Sequence, residues 1–311
     1  MLELLFPASP STDWQRLACA LATRGRFCLI TGGPGTGKTT TVVRLLALMQ
    51  ALSLSGEAAR PLRIRLSAPT GKAAARLSAA VANAIAGLPD LGPELDVSVR
   101  AAIPNRALTL HRLLGSRPDA AGFRHHAGRP LALDVLVIDE ASMVDLELMA
   151  AVFDALPDSA RLILLGDKDQ LASVEAGALL GELARRAEGG HYLPEVADWL
   201  ERVSGQRPPA DVIDPDGRPL DQAVVMLRVS HRFGADSGIG RLARAVNAGA
   251  VDAVETLLGT GADDLRVLGH DTPDTVAASL RNLVLAGSGD WPGYRAYLEE
   301  LHATRPEYGA D

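Results

Sequence analysis

The run Gly32-Gly33-Pro34-Gly35-Thr36-Gly37-Lys38-Thr39-Thr40, between the short apolar segment Phe27 to Thr31 and a helix predicted from Lys38 to about Leu52, constrains this chain more than any other feature. A glycine-rich turn that leaves a buried strand and enters a helix aims backbone N–H groups inward, at the positive end of the helix dipole, where phosphate oxygens bind. In that pattern Lys38 reaches the β- and γ-phosphates and the Thr39 hydroxyl holds Mg²⁺. A dinucleotide fingerprint is excluded, because glycine spacing counted from Gly33 and Gly35 meets Lys38 where the third glycine belongs. The segment therefore predicts a nucleoside triphosphate, with Mg²⁺, on a P-loop.

The strand-loop-helix unit recurs. Leu62 to Ala68 precedes a helix from about Gly71, Val135 to Asp139 one from Ser142, and Arg161 to Gly166 one from about Ala176; an earlier helix starts at Ser11 or Thr12 and ends at Gly25. Short continuous apolar runs alternating with helices imply an α/β fold, a doubly wound parallel sheet with helices on both faces. Two irregular stretches interrupt it: residues 88–133, with a small hairpin expected around Phe123 to Pro130, and residues 189–222, where Asp214-Pro215-Asp216-Gly217 suggests a second hairpin. Val224 to Val229 reads as a further strand and Ser237 to Asn247 as a helix. Beyond residue 250 only helix-like patches remain, at Pro273 to Leu285 and Tyr294 to Leu301, so the expected organisation is one domain over 1–250 and a partial or extension segment over 251–311.

Composition narrows the class. Hydrophobic residues make up 47% and charged ones 22%, which is enough apolar surface for a core and excludes a largely disordered chain. The net charge of −7 is no global basic footprint, so any nucleic-acid contact must come from a local groove. Cys19 and Cys28 have no metal-type spacing and read as packing residues of a reducing, cytoplasmic setting. No apolar run is long enough to span a bilayer, and the N-terminal segment lacks the basic flank of a secretion signal.

Two further strand ends carry polar groups. Asp139 and Glu140 close an apolar strand at its C-terminal edge, where parallel sheets bind ligands. Beside a P-loop they divide the work: Asp139 for Mg²⁺ and its hydration shell, Glu140 as general base on an attacking water. The strand ending at Gly166 is followed by Asp167-Lys168-Asp169-Gln170-Leu171, either a solvated loop or a place where one side chain senses the γ-phosphate.

The runs from Ile30 to Thr41, Ala68 to Ala74, Thr109 to Gly115, Ile138 to Met143, Gly166 to Leu171 and Ser230 to Phe233 resemble, in order and spacing, the RecD-type family of superfamily-one DNA helicases, the alpha subunits of exodeoxyribonuclease V. The resemblance covers roughly residues 10 to 250 and implies a RecA-like motor domain. It implies that Gln15, within Asp13-Trp14-Gln15, reads adenine, that Gln170 couples γ-phosphate state to DNA, and that Arg232 is the charge-stabilising arginine. It also implies that Thr70, Lys72 and His111 touch single-stranded DNA. Read without it, Thr70 is a helix cap, Lys72 a solvated charge, His111 an ordinary helix residue and Arg232 a surface salt-bridge partner.

The resemblance further implies ATP-driven 5′ to 3′ movement in double-strand break repair, with RecB- and RecC-type partner subunits and nuclease chemistry on a different subunit. The family's later motifs have no match after residue 250, so the chain is expected to be the first motor domain of a longer protein. Two other readings stand beside the motor: a stand-alone P-loop ATPase, which DNA stimulation of turnover would distinguish, and a nucleotide-binding interaction module that does not hydrolyse.

Overall fold

The computed structural model describes residues 1–303 apart from 8, 10, 57–58, 94, 117–121, 171–178, 233–236, 266, 268–271 and 288–291. In chain order its elements are α1 (Leu2–Leu5), α2 (Trp14–Arg24), β1 (Phe27–Thr31), α3 (Lys38–Leu54), β2 (Ile64–Ala68), α4 (Gly71–Ala86), α5 (Asp96–Ala102), β3 (Ala107–Thr109), α6 (Leu110–Leu114), β4 (Val135–Ile138), α7 (Leu146–Ala155), β5 (Arg161–Gly166), α8 (Leu179–Leu183), α9 (Pro194–Ser204), β6 (Val224–Met226), α10 (Gly238–Asn247), α11 (Val251–Thr260), α12 (Pro273–Ala286) and α13 (Gly293–Ala303). The strands form one six-stranded sheet in the order β3-β2-β4-β5-β1-β6. Every neighbouring pair is parallel, with Leu29 opposite Leu164 and Leu66 opposite Val137.

Alternation along the strands divides the core. Cys28, Ile30, Val137, Ile163 and Leu165 face one apolar cluster, which α2, α3 and α4 complete through Leu17, Leu45 and Leu77. Leu29, Leu136, Ile138, Leu162 and Leu164 face the other, completed by Leu110, Leu148 and Leu180 of α6, α7 and α8. A strand apolar at every position is what a sheet covered on both faces requires, so the doubly wound α/β expectation holds. Cys19 and Cys28 are buried free thiols in the first cluster. Burial pushes both up, Cys28 to about 12, so each stays a protonated packing group.

Several local expectations are corrected. Helix α2 begins at Trp14, because the Asp13 carboxylate accepts from Gln15 N and Arg16 N at 3.0 Å and caps it. After β4 the chain makes a single 3₁₀ turn, Ala141–Met143, and the helix expected from Ser142 starts at Leu146, where Asp145 caps Leu148 N. The start expected near Ala176 lies outside the described residues. No hairpin forms around 189–222: Pro194 opens α9, whose Val196, Ala197 and Leu200 are buried at helical spacing, and Tyr192 bridges Ile213 in parallel. The turn at Asp214 does close, with Gly217 N donating to Asp214 O. Residues 123–130 make a small antiparallel turn with His126 bridging Arg129. Strand β6 ends at Met226, short of Val229.

The chain divides into two compact units, Met1–Arg232 and Phe233–Asp311. The sequence reading put the break after residue 250; by contacts α10 goes with the later helices, because its closest packing is on α11. In this second unit Asp264 accepts from Ser237 Oγ, Gly238 N and Ile239 N at the start of α10, and Thr272 and Thr275 form a reciprocal capping box on α12. No described helix is long and apolar enough to cross a membrane.

Candidate functional site

At the C-terminal ends of β1, β4 and β5 lies a cavity of about 680 Å³, lined on one side by Pro34 to Thr40 and on the others by Asp139, Glu140, Gln170 and Arg232. The loop after β1 reaches it through left-handed glycines: φ is +79° at Gly35 and +82° at Gly37, the residue that precedes α3. A Cβ at Gly35 would collide with Arg232 Cβ, and one at Gly37 with the Gln15 amide. Conformation favours glycine at both positions, and at Gly35 the close approach of Arg232 does so as well. Gly32 and Gly33 sit behind the loop, and their carbonyls accept from the Lys38 ammonium, at 3.1 Å for Gly33.

Lys38 is partly buried, and burial lowers its pKa, opposed by Asp167, Asp139 and Glu140. Burial likewise raises Asp139, helped by the nearby Glu140 charge and opposed by the Glu140 N–H, which donates to Asp139 Oδ1 at 2.9 Å. This carboxylate has no side-chain donor among the described residues, and neither has the Thr39 hydroxyl a hydrogen-bond partner. A part-buried carboxylate and a hydroxyl lining the same cavity are oxygen donors of the kind a hard divalent cation such as Mg²⁺ takes. Glu140 follows in the left-handed region, φ +52° and ψ +40°, a conformation costing a non-glycine residue about 1 kcal/mol or more. Gln170 is exposed at the rim, 3.5 Å from Ser142 Oγ, while Asp167 is buried and accepts from Asp169 N at 3.1 Å.

A smaller cavity of about 220 Å³ adjoins the loop from the α2 side, with Trp14, Gln15, Arg44, Leu227, Arg228 and His231 in its wall. The Arg228 guanidinium stacks 4.6 Å above the Trp14 ring. Gln15 thus stands beside the loop, its Nε2 3.1 Å from Thr36 O, but outside the larger cavity. Thr70, Lys72 and His111 line neither. Thr70 caps α4 by accepting from Ala73 N at 3.2 Å, Lys72 is exposed in the first turn, and His111 lies on α6 with its ring edge-on to Phe123 at 5.9 Å. They share one stretch of sheet edge, since Ala68 is paired with Thr109.

Among the lining residues that carried no role in the sequence reading, two are polar or charged. Arg76 points into the larger cavity from α4 and bears electrostatically on Asp139. Its signal was the phase of α4, which puts Ala73, Arg76, Leu77 and Ala80 on the cavity side. His231 lies within the run Ser230 to Phe233 but was given no role there; it lines both cavities and its backbone N–H donates to Gly35 O at 2.8 Å.

The sequence profile of the AAA domain family matches residues 15–176, the stretch that carries the loop, the acidic pair and Gln170. The chain belongs to the AAA domain family. Within it, RecBCD enzyme subunit RecD of Haemophilus influenzae is 46% identical over 253 residues, 81% of this chain and 38% of that protein. RecD of Mycobacterium tuberculosis (strain CDC 1551 / Oshkosh) is 42% identical over 299 residues, 93% of this chain and 44% of that protein. The ATP-dependent RecD2 DNA helicase of Deinococcus radiodurans is 40% identical over 162 residues, 52% of this chain and 18% of that protein. This AAA domain chain spans less than half the length of each.

Proposed function

We propose that this chain is the first motor domain of a RecD-type DNA helicase subunit, binding and hydrolysing ATP with Mg²⁺ to drive 5′ to 3′ movement along one DNA strand, in the cytoplasm, with RecB- and RecC-type partners. The observation that carries the reading is the convergence of Lys38, Asp139, Glu140, Gln170 and Arg232 on one cavity at the ends of three adjacent parallel strands. Phosphoryl transfer asks a protein mainly for positioning and for charge stabilisation, and these residues supply both.

In this reading the loop N–H groups and Lys38 hold the triphosphate, Thr39 and Asp139 hold Mg²⁺, and Glu140 takes the proton from the attacking water. Mg²⁺ supplies neutralisation of charge on the phosphate oxygens. Gln170 lies at the rim between the acidic pair and solvent and relays the state of the γ-phosphate. Arg232, pressed against Gly35, stabilises charge on the transferred oxygens. Gln15 reads the base from the smaller cavity. Thr70, Lys72 and His111, on the adjoining sheet edge, contact single-stranded DNA, with Thr70 giving its lone pair to the α4 cap at the same time.

The test is ATP turnover by the 311-residue chain with and without single-stranded DNA. Turnover that rises with DNA supports the motor reading. DNA-independent turnover would favour a stand-alone ATPase, and ATP binding without turnover a nucleotide-binding module. Strand separation by the isolated chain is not expected, and observing it would overturn the assignment of these residues to a first motor domain alone.

A further inference from the structure

The Gln15 carboxamide is held at three points. Its Nε2 lies 3.1 Å from Thr36 O and 3.3 Å from His231 Nε2, and its Oε1 lies 3.5 Å from Arg44 Nη1. A carbonyl only accepts and a guanidinium only donates, so Thr36 and Arg44 fix which end of the amide is which. His231 then receives the second amide proton on the lone pair of Nε2, with its own ring proton on Nδ1. The histidine is anchored for this from behind, since its backbone N–H donates to Gly35 O at 2.8 Å. Both protons of the Gln15 amide are thereby spent, and what it has left is acceptor capacity on Oε1, in the wall of the 220 Å³ cavity.

We propose that His231 is a specificity-determining positioning residue: by consuming the second amide proton of Gln15, it leaves only an acceptor facing the base, so the site selects a 6-amino purine over a 6-oxo purine. The proposal rests on the nucleotide-site reading above and adds to it the origin of base discrimination. A 6-amino group donates to Oε1, whereas a 6-oxo group would set oxygen against oxygen, and a site that offers an acceptor disfavours a group that cannot donate to it. Without the imidazole, the second amide proton becomes available to the 6-oxo group.

The experiment is calorimetric binding of ATP and of inosine triphosphate, each with Mg²⁺, to the full chain. Wild type is expected to prefer ATP. His231→Ala is expected to shift the ATP-to-ITP affinity ratio about three- to tenfold toward ITP, the value of one hydrogen bond, by tightening ITP binding. In a Gln15→Ala background the same substitution should leave the ratio where Gln15→Ala put it. Equal weakening of both nucleotides by His231→Ala would mean a merely structural role and overturn the proposal, as would an unchanged ratio or a wild type without preference. Failure of the underlying reading looks different: ATP binding would then be indifferent to Lys38→Ala.

Discussion

Strand β4 and helix α11 are both short and rich in aliphatic residues, yet they stand at opposite ends of the molecule's packing. All of Val135 to Ile138 are buried to 1% exposure or less, whereas α11 has no buried residue, with Val251 at 63% and Leu258 at 41%. The same contrast separates the two units. The first encloses its sheet between two apolar clusters. In the second, Leu280, Val284, Tyr297 and Leu301 are exposed on helices that pack in pairs, α10 with α11 and α12 with α13. Hydrophobic residues stabilise only in proportion to the surface they remove from water, and among the described residues it is the first unit that encloses a core.

The sharpest way to break this comparison is to remove one cation from each unit. If nucleotide chemistry belongs to the first unit alone, Lys38→Ala lowers ATP turnover by about a hundredfold or more, since it deletes a charge aimed at the transferred phosphate. Arg281→Ala, on exposed α12, should change turnover less than about twofold. A comparable loss from both, measured in one steady-state assay, would show that the second unit enters the nucleotide reaction.

A core truncation in each unit tests the packing itself. Leu164, 1% exposed in β5, lies in the second apolar cluster, and Leu164→Ala should cost about 2–5 kcal/mol through lost transfer energy and a residual cavity. Leu258→Ala, with half-exposed surroundings, should stay within about 0.5 kcal/mol. Urea denaturation followed by circular dichroism measures both. Equal losses would mean that α11 is buried in solution.

The contrast also marks where the sequence was readable. Phe27 to Thr31, Arg161 to Gly166 and the loop from Gly32 were legible because a twice-covered strand leaves a continuous apolar run and a phosphate turn leaves fixed glycines. β3 was not, because Ala107–Thr109 is too short to show periodicity inside a Pro- and Gly-bearing stretch. Helix α9 was hidden by its turn-like surroundings, although Pro194 was a start signal. In the site, Lys38, Asp139 and Glu140 could be named from local pattern alone. Arg76 and His231 could not, since their place depends on helix phase and on a hydrogen bond spanning more than two hundred residues, from His231 to Gln15.

Helix caps give the smallest and most selective probe. Asp13 accepts from two N–H groups at the start of α2, whose Leu17, Ala18 and Leu21 are in the core, so Asp13→Ala should lower the main unfolding transition by about 1 kcal/mol. Thr272 accepts from Thr275 N at 3.3 Å in a capping box on α12, a helix with Leu280 and Val284 exposed. Thr272→Ala should fray α12 locally, visible as faster amide exchange over its first turn, and leave the main transition within about 0.5 kcal/mol. The same cap chemistry then has different thermodynamic reach, because a cap can stabilise a fold only as far as its helix is packed into one. If Thr272→Ala instead lowers the main transition as much as Asp13→Ala does, the two units unfold as one cooperative body, and the exposed helices of the second share the stability of the first.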